Sequence, residues 1–377
     1  MNICRGASPR PIEKYITMQS NGINWIKIGD ISPKENVIKT TKEKITEEGA
    51  KHSRYVRKGD LILSNSMSFG RPYILEIDGC IHDGWLLIQD LEKLFDKKYL
   101  CYLLDSDTVK HQYRKYAAGG VVINLNSELV RSVSVFIPKV QEQEKIASFL
   151  TLIDKKIEKQ KELVELLKKY KRGLLSQIFS QKLRFKDDNG NWKKIKLDKI
   201  GYFLGGGTPS KNKLEYWNGN IPWVSSSDIS ENSIDNINIS RFITKNAVNN
   251  SSTKICPNGT ICIVSRVGVG KLAISKQCVC TSQDFVNFIN TTNNNNYYIA
   301  YYLKEIMKRK VLKTQGTSIK GITSLEIKNI QISLPKIEIQ NKIASLLKYN
   351  DYLINANESF IKFLIQYKKG LLQQLFI

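Results

Sequence analysis

The sequence predicts an α+β chain: two pseudo-symmetric domains separated by two long helices pairing as an antiparallel coiled coil. Three observations predict it, namely a gapless internal repeat, heptad spacing inside each copy, and looser matches between the intervening stretches. Residues 138–179 and 335–376 are one 42-residue segment written twice at an offset of 197, with 18 of the 42 positions identical. The first copy runs from Pro138-Lys139-Val140 through Lys145-Ile146-Ala147-Ser148 to Tyr170-Lys171-Arg172-Gly173-Leu174-Leu175. The second runs from Pro335-Lys336-Ile337 through Lys342-Ile343-Ala344-Ser345 to Tyr367-Lys368-Lys369-Gly370-Leu371-Leu372. A repeat this long makes two comparable halves. It divides the chain into 1–137, a first domain; 138–182, a central helix; 183–334, a second domain; and 335–377, a C-terminal helix.

Within each copy the seam positions step by four and three residues, as a coiled coil requires. They are Ile146, Leu150, Ile153, Ile157, Gln160, Val164, Leu167, Lys171, Leu174 and Ile178, then Ile343, Leu347, Asn350, Ile354, Asn357, Ile361, Leu364, Lys368, Leu371 and Leu375. Polar residues at a seam fix register at some cost in stability. Forty helical residues span about 60 Å, so an internal antiparallel pair would act as a ruler with a domain at each end. Phe149, Leu163, Leu166, Phe179 and Phe360 are expected on another stripe, facing a partner protein.

The domains match more loosely. Trp25 to Ser32 corresponds to Trp223 to Ser230, Gly6-Ala7-Ser8-Pro9 to Gly206-Gly207-Thr208-Pro209, and Tyr99–Leu104 to Tyr298–Leu303. Short strands are expected at 60–64, 260–264 and 286–290, with helices over 99–114 and 298–309. Residues 183–200, which lead into the second domain, have no counterpart before Met1, so the first domain is expected to start without its lead-in and to be the less stable half.

Composition narrows the function. The formal charge is +23, from 58 Lys and Arg against 35 Asp and Glu, which favours a polyanionic partner. No apolar run reaches the roughly 18 residues of a membrane span, and no signal peptide is legible; a cytoplasmic location is expected. Cys256, Cys262, Cys278 and Cys280 cluster, but their C-x5-C and C-x-C spacing suits buried thiols better than zinc. His52, His82 and His111 have no nucleophile nearby in sequence. No two prolines are adjacent, as an amino-methyltransferase motif would need, and Ser265–Leu272 lacks the first glycine and the terminal hydroxyl of a phosphate loop. No catalytic residues, metal or bound cofactor are therefore expected.

Gly6-Ala7-Ser8-Pro9-Arg10, Gly207-Thr208-Pro209, the W-x4-D-I-S pairs at Trp25 and Trp223, and P-K-x-x-x-Q-x-K-I-A-S before each helix together resemble the specificity (S) subunits of type I restriction-modification systems. The resemblance covers nearly the whole chain. It implies two target recognition domains, each reading half of a split site in double-stranded DNA, with the helices fixing the spacer and docking the modification (methylase) subunits. It also implies a restriction (translocase/nuclease) subunit, with S-adenosylmethionine, ATP and Mg2+ held by the partners and no catalysis in this chain. The competing reading is an orphan nucleic-acid-binding adaptor with no methylase partner.

Base edges are read by paired donors and acceptors, phosphates by charge and hydroxyls. On that ground the candidate DNA contacts are Ser8, Arg10, Lys27, Asn65, Ser66 and Arg71 in the first half. In the second they are Thr208, Ser210, Lys211, Ser225, Ser226, Ser265, Arg266, Lys271 and Lys320. Gly119-Gly120 and the loop 315–320 look like places of close backbone approach. Tyr297, Tyr298, Tyr301 and Tyr302, at helical spacing, suit core packing better than stacking on an extruded base.

Overall fold

The computed structural model describes residues 1–376 apart from 31–35, 66–69, 118–124, 232 and 315–320. The chain divides into two compact units, Met1–Lys161 with Phe360–Ile377, and Glu162–Ser359. Both divisions fall inside the long helices, Val140–Phe179 and Ile337–Leu375, where the sequence suggested boundaries at the helix ends.

Among the described residues the first unit carries two five-stranded sheets. One is ordered Asn2–Arg5, Trp85–Gln89, Leu61–Ser64, Pro72–Leu75, Val37–Ile38; the other Ile16–Thr17, Glu43–Ile45, Ile23–Ile26, Gly79–Ile81, Arg54–Val56. Central strands such as Leu61–Ser64 are buried throughout and read as continuous apolar runs.

The second unit repeats the first sheet as Gly201–Gly205, Phe285–Asn290, Ile261–Val264, Leu272–Ile274. A three-stranded sheet of Arg241–Ile243, Ile221–Val224 and Cys280–Thr281 corresponds to the other. The shared register is visible at the two tryptophans: Trp25 lies opposite Cys80 and Trp223 opposite Cys280, each in a parallel pair.

In each unit a half of the central helix packs antiparallel on a half of the C-terminal helix. In the first, Ala147, Leu150, Ile153 and Ile157 share a core with Leu364 and Phe376, and Lys368 Nζ bonds Asp154 at 2.6 and 2.8 Å. In the second, Leu174, Leu175 and Ile178 meet Ile343, Ala344 and Leu347; Lys168 pairs with Glu358 at 2.9 Å and Lys171 with Asp351. Seam residues Ile146, Leu167, Ile361 and Leu371 are partly buried, while Leu150, Ile153, Ile157, Val164, Leu174, Ile343, Leu347, Ile354 and Leu364 are buried. The polar seam residues Asn350 and Asn357 bond the backbone one turn back, at Leu346 O and Leu353 O.

The repeated lysine, aspartate and a tyrosine form one device used twice. Tyr102 donates to Asp154 at 2.7 Å and Tyr301 to Asp351 at 2.6 Å. Each sheet domain is thereby tied to the helix pair of its own unit. The repeated glutamine does similar work at the helix start. Gln143 Nε2 donates to Leu94 O and Pro138 O while its Oε1 accepts from Asp96 N. Gln340 Nε2 donates to Asn294 Oδ1 and Pro335 O, and its Oε1 accepts from Asn295 N. Gln340 is 1% exposed, so Gln340→Ala strands a backbone donor and acceptor and should cost about 1–3 kcal/mol, read as a drop in the unfolding midpoint; Gln340→Glu, which turns the donor into an acceptor facing Pro335 O, should not rescue it.

Three departures from the sequence reading have local causes. The helix expected over 99–114 is two, Lys97–Asp105 and Asp107–Ala117, because Ser106 is extended and its Oγ accepts from Val109 N at 3.3 Å. The matched position in the second half is Glu305, and Asn296–Thr314 runs unbroken. Phe179, expected to face a partner, is buried against Tyr298 and Tyr302 at ring distances of 5.6 and 4.6 Å. Tyr298 and Tyr301 are fully buried with it. Finally, Lys193–Lys196 pairs antiparallel with Gln331–Leu334, whereas the residues matching the latter, 134–137, form no strand among the described residues. Gln112 instead caps Ser134 through both N and O, and Phe136 stands 91% exposed. Phe136→Ser should leave stability within about 0.5 kcal/mol, checked by urea unfolding.

Candidate nucleic-acid interface

The second domain holds a cavity of about 860 Å³ between the end of Gly201–Gly205, the turn after Ile261–Val264 and residues 321–328. Ser265, Arg266, Gln283, Thr323 and Lys328 line it. Ser265 is buried and its Oγ donates to Asp284 O at 2.9 Å, so it shapes the turn. Arg266 and Gln283 are exposed. Together they present a guanidinium and a carboxamide, the two groups that form paired hydrogen bonds with guanine and adenine edges. Gly321 approaches this turn closely, since a Cβ on it would lie 2.6 Å from Ser265 O.

The Thr-Pro loop brings Thr208, half-buried, and Ser210 and Lys211, exposed, to the end of the same strand. Beneath it Trp223 Nε1 donates to Gly207 O at 2.9 Å. Ser225 closes a capping box with Asp228, which Arg241 also grips while lying 4.7 Å over the Trp223 ring. Ser225 is thus engaged internally, with Ser226 half-buried beside it. Lys271 lines a different cavity from Arg266.

In the first domain the corresponding groups converge on Asp83. Ser8 Oγ donates to its carboxylate at 2.9 Å, His82 Nε2 lies 2.8 Å from it and Arg10 3.9 Å, while Asn65 Nδ2 donates to its carbonyl at 2.9 Å. Arg10 is 84% exposed at the side chain. Lys27 pairs with Glu43 at 2.6 Å. All of these but Asn65 border a cavity of about 380 Å³. Arg71 bonds Asn36 at 2.9 Å and lies 5.3 Å from the Tyr73 ring centre. Ser66, Lys320, Gly119 and Gly120 lie outside the described residues.

Sequence reasoning missed Gln283 and Asp83, which occupy matched positions two residues beyond Thr281 and Ile81. The signal was available: a short parallel strand opposite each tryptophan fixes the register, and the residues after that strand differ in chemistry between the halves. Burial holds the neighbouring thiols in their protonated form, with Cys256 pushed up to about 12 and Cys280 to about 11. Cys278 is exposed, unlike the buried thiol expected there.

A family model described as the type I restriction modification DNA specificity domain matches residues 3–168 and 189–364. The chain belongs to that family, with its domain present twice. Over 169 residues it is 36% identical to the type I restriction enzyme MjaIX specificity subunit of Methanocaldococcus jannaschii, a match covering 44% of this chain and 39% of that relative. The chain thus spans about two fifths of that relative's length. Against the putative type I restriction enzyme MjaX specificity subunit of the same organism it is 25% identical over 365 residues, covering 91% of this chain and 81% of the relative. A chain solved to explain complex assembly and conformational transition of the type I R-M system superposes with a TM-score of 0.65 at 15% identity, covering 99% of this chain and 96% of that one. At that identity the likeness is one of fold. Among the described residues no helix is long and apolar enough to cross a membrane.

Proposed function

We propose that the chain is the DNA-binding specificity subunit of a type I restriction-modification complex. Each recognition domain reads one half of a bipartite target in double-stranded DNA, and the helices set the spacer and dock the modification subunits. The restriction subunit joins that assembly, and S-adenosylmethionine, ATP and Mg2+ act on the partners, leaving this cytoplasmic chain non-catalytic. One observation carries the reading: two domains that share their central strand order and the register at the tryptophans present different groups at matched positions, Asp83 bonded to Ser8 and Asn65 in one and exposed Gln283 in the other.

Docking is supported by a second repeated pattern. Leu152 and Tyr349, Leu163 and Phe360, Leu166 and Phe363, and Tyr170 and Tyr367 stand at matched positions, and all are exposed. An apolar stripe repeated at equivalent places suits two copies of one partner.

The test is a base-resolution adenine methylome of cells expressing the chain with its modification subunit, against cells lacking the chain. A new bipartite motif with a constant spacer is expected. Absence of any motif, with both proteins present, would favour the orphan adaptor. Arg266→Ala and Gln283→Ala should each weaken binding by about 1–3 kcal/mol and relax one half of the motif while the other half stays sharp.

A further inference from the structure

The second unit contains a cavity of about 370 Å³ bordered by Lys168, Lys171, Arg172, Lys271, Lys304 and Lys308, against two carboxylates, Glu231 and Glu305. Several of these charges are already matched. Lys171 pairs with Asp351, Lys168 with Glu165 and Glu358, and Glu305 with Arg309 at 3.1 Å. Lys271 reaches Glu231 only at 3.9 Å. Lys304 is different, because its Nζ is buried and has no hydrogen-bond partner among the described residues. Burial and the neighbouring Lys171 lower its pKa to about 8. A buried ammonium without a hydrogen-bond acceptor is costly, so the arrangement is incomplete as a purely internal one.

The other half of the repeat shows how the scaffold closes the same place from within. The tyrosines Tyr102 and Tyr301, each bonded to the repeated aspartate, fix the match, and it sets Asp105 where Lys304 stands. Asp105 is paired with Lys110 at 2.6 Å. By the same matches Lys168 corresponds to Ile365 and Lys308 to Val109. Three cations of the second unit are thus an acid and two apolar residues in the first, and the fold forms without them.

We propose that this cavity in the second unit is a binding site for a phosphoryl anion. Cations converge on it from the central helix, from Asn296–Thr314 and from the turn before Leu272–Ile274, and a phosphoryl group offers several oxygens and up to about two negative charges to such a set. The volume lies within the range of small-ligand sites. The phosphoryl group can come from the backbone of bound DNA or from a free phosphate or nucleotide.

Inorganic pyrophosphate is the probe, added to the full chain at constant ionic strength. It should raise the unfolding temperature of the wild type, and Lys304→Asp, which copies the first unit, should weaken its binding at least tenfold; Lys304→Met, which keeps the bulk, should do the same. Lys304 faces Lys171 on the central helix, Asp351 on the C-terminal helix, and Glu231 and Lys271 from the sheet side, besides Glu305 and Lys308 on its own helix. An added anion raises its proton affinity. At pH 9 the wild type should therefore take up more protons on binding than Lys304→Met, in which only the probe itself titrates, measured by calorimetry in two buffers of different ionisation enthalpy. Duplex DNA separates the sources. If a backbone phosphate fills the site, pyrophosphate competes and Lys304→Asp weakens duplex binding tenfold; if a free phosphate does, duplex binding is unchanged by either. Equal pyrophosphate affinity in wild type and a folded Lys304 variant, or an equal proton balance in wild type and Lys304→Met, would overturn the proposal.

Discussion

Asp351→Ala should destabilise the second unit by about 3–5 kcal/mol. Lys171 and Asp351 are each 8% exposed at the side chain, so removing the carboxylate leaves an ammonium buried without its charge partner. Tyr301, fully buried, loses the acceptor for its hydroxyl at the same stroke. The matched Asp154→Ala is the control. Its carboxylate is 40% exposed, water can replace it, and the loss should stay near 1 kcal/mol or below. The double variant Lys171→Met/Asp351→Leu should recover most of the stability, because it removes the stranded charge. Urea unfolding followed by tryptophan fluorescence and circular dichroism reads all of these; equal effects of Asp351→Ala and Asp154→Ala would show that burial does not rank the two pairs.

Trp85→Ala should cost the first unit about 3–5 kcal/mol. The ring is fully buried, meets Tyr73 edge-on at 5.5 Å, and its Nε1 donates to Ile26 O at 3.1 Å. Trp85→Phe should cost only about 1 kcal/mol, because Ile26 O keeps a second donor in His82 N at 3.1 Å. The second unit already uses Phe285 at this position, 2% exposed. The substitution should move the transition of the first unit and leave that of the second in place. A Trp85→Phe loss as large as that of Trp85→Ala would assign the stability to the hydrogen bond instead of the ring volume.

The helices were legible because heptad spacing is a property of the sequence itself, and the repeat supplied their partners. The sheets were legible in part: 60–64 and 260–264 are apolar runs bounded by turn residues, and the strands observed fall within a residue of them. The break at Ser106 was not legible, since it depends on which backbone amide one hydroxyl captures. The candidate site was harder still. Arg266 declares itself as an exposed arginine, but Asn65, Ser225 and Lys27 look identical to readers in a sequence and are occupied by Asp83, Asp228 and Glu43. Lys304 was invisible because nothing in a helical Tyr-Tyr-Leu-Lys run says that the lysine faces inward.

The first unit is built from the two ends of the chain, Met1–Lys161 and Phe360–Ile377, while the second is continuous. This sets an order of events on the ribosome. Domains ordinarily mature in the order of synthesis, at about 5–20 residues per second. Here the earlier-made unit waits on the order of 10–40 s for the segment carrying Leu364 and Phe376. During that interval Leu150, Ile153 and Ile157 lack the apolar partners they have in the finished core. The nascent chain therefore passes through a stage in which the first unit displays half a coiled coil, the stage at which a chaperone or a docking subunit would find it.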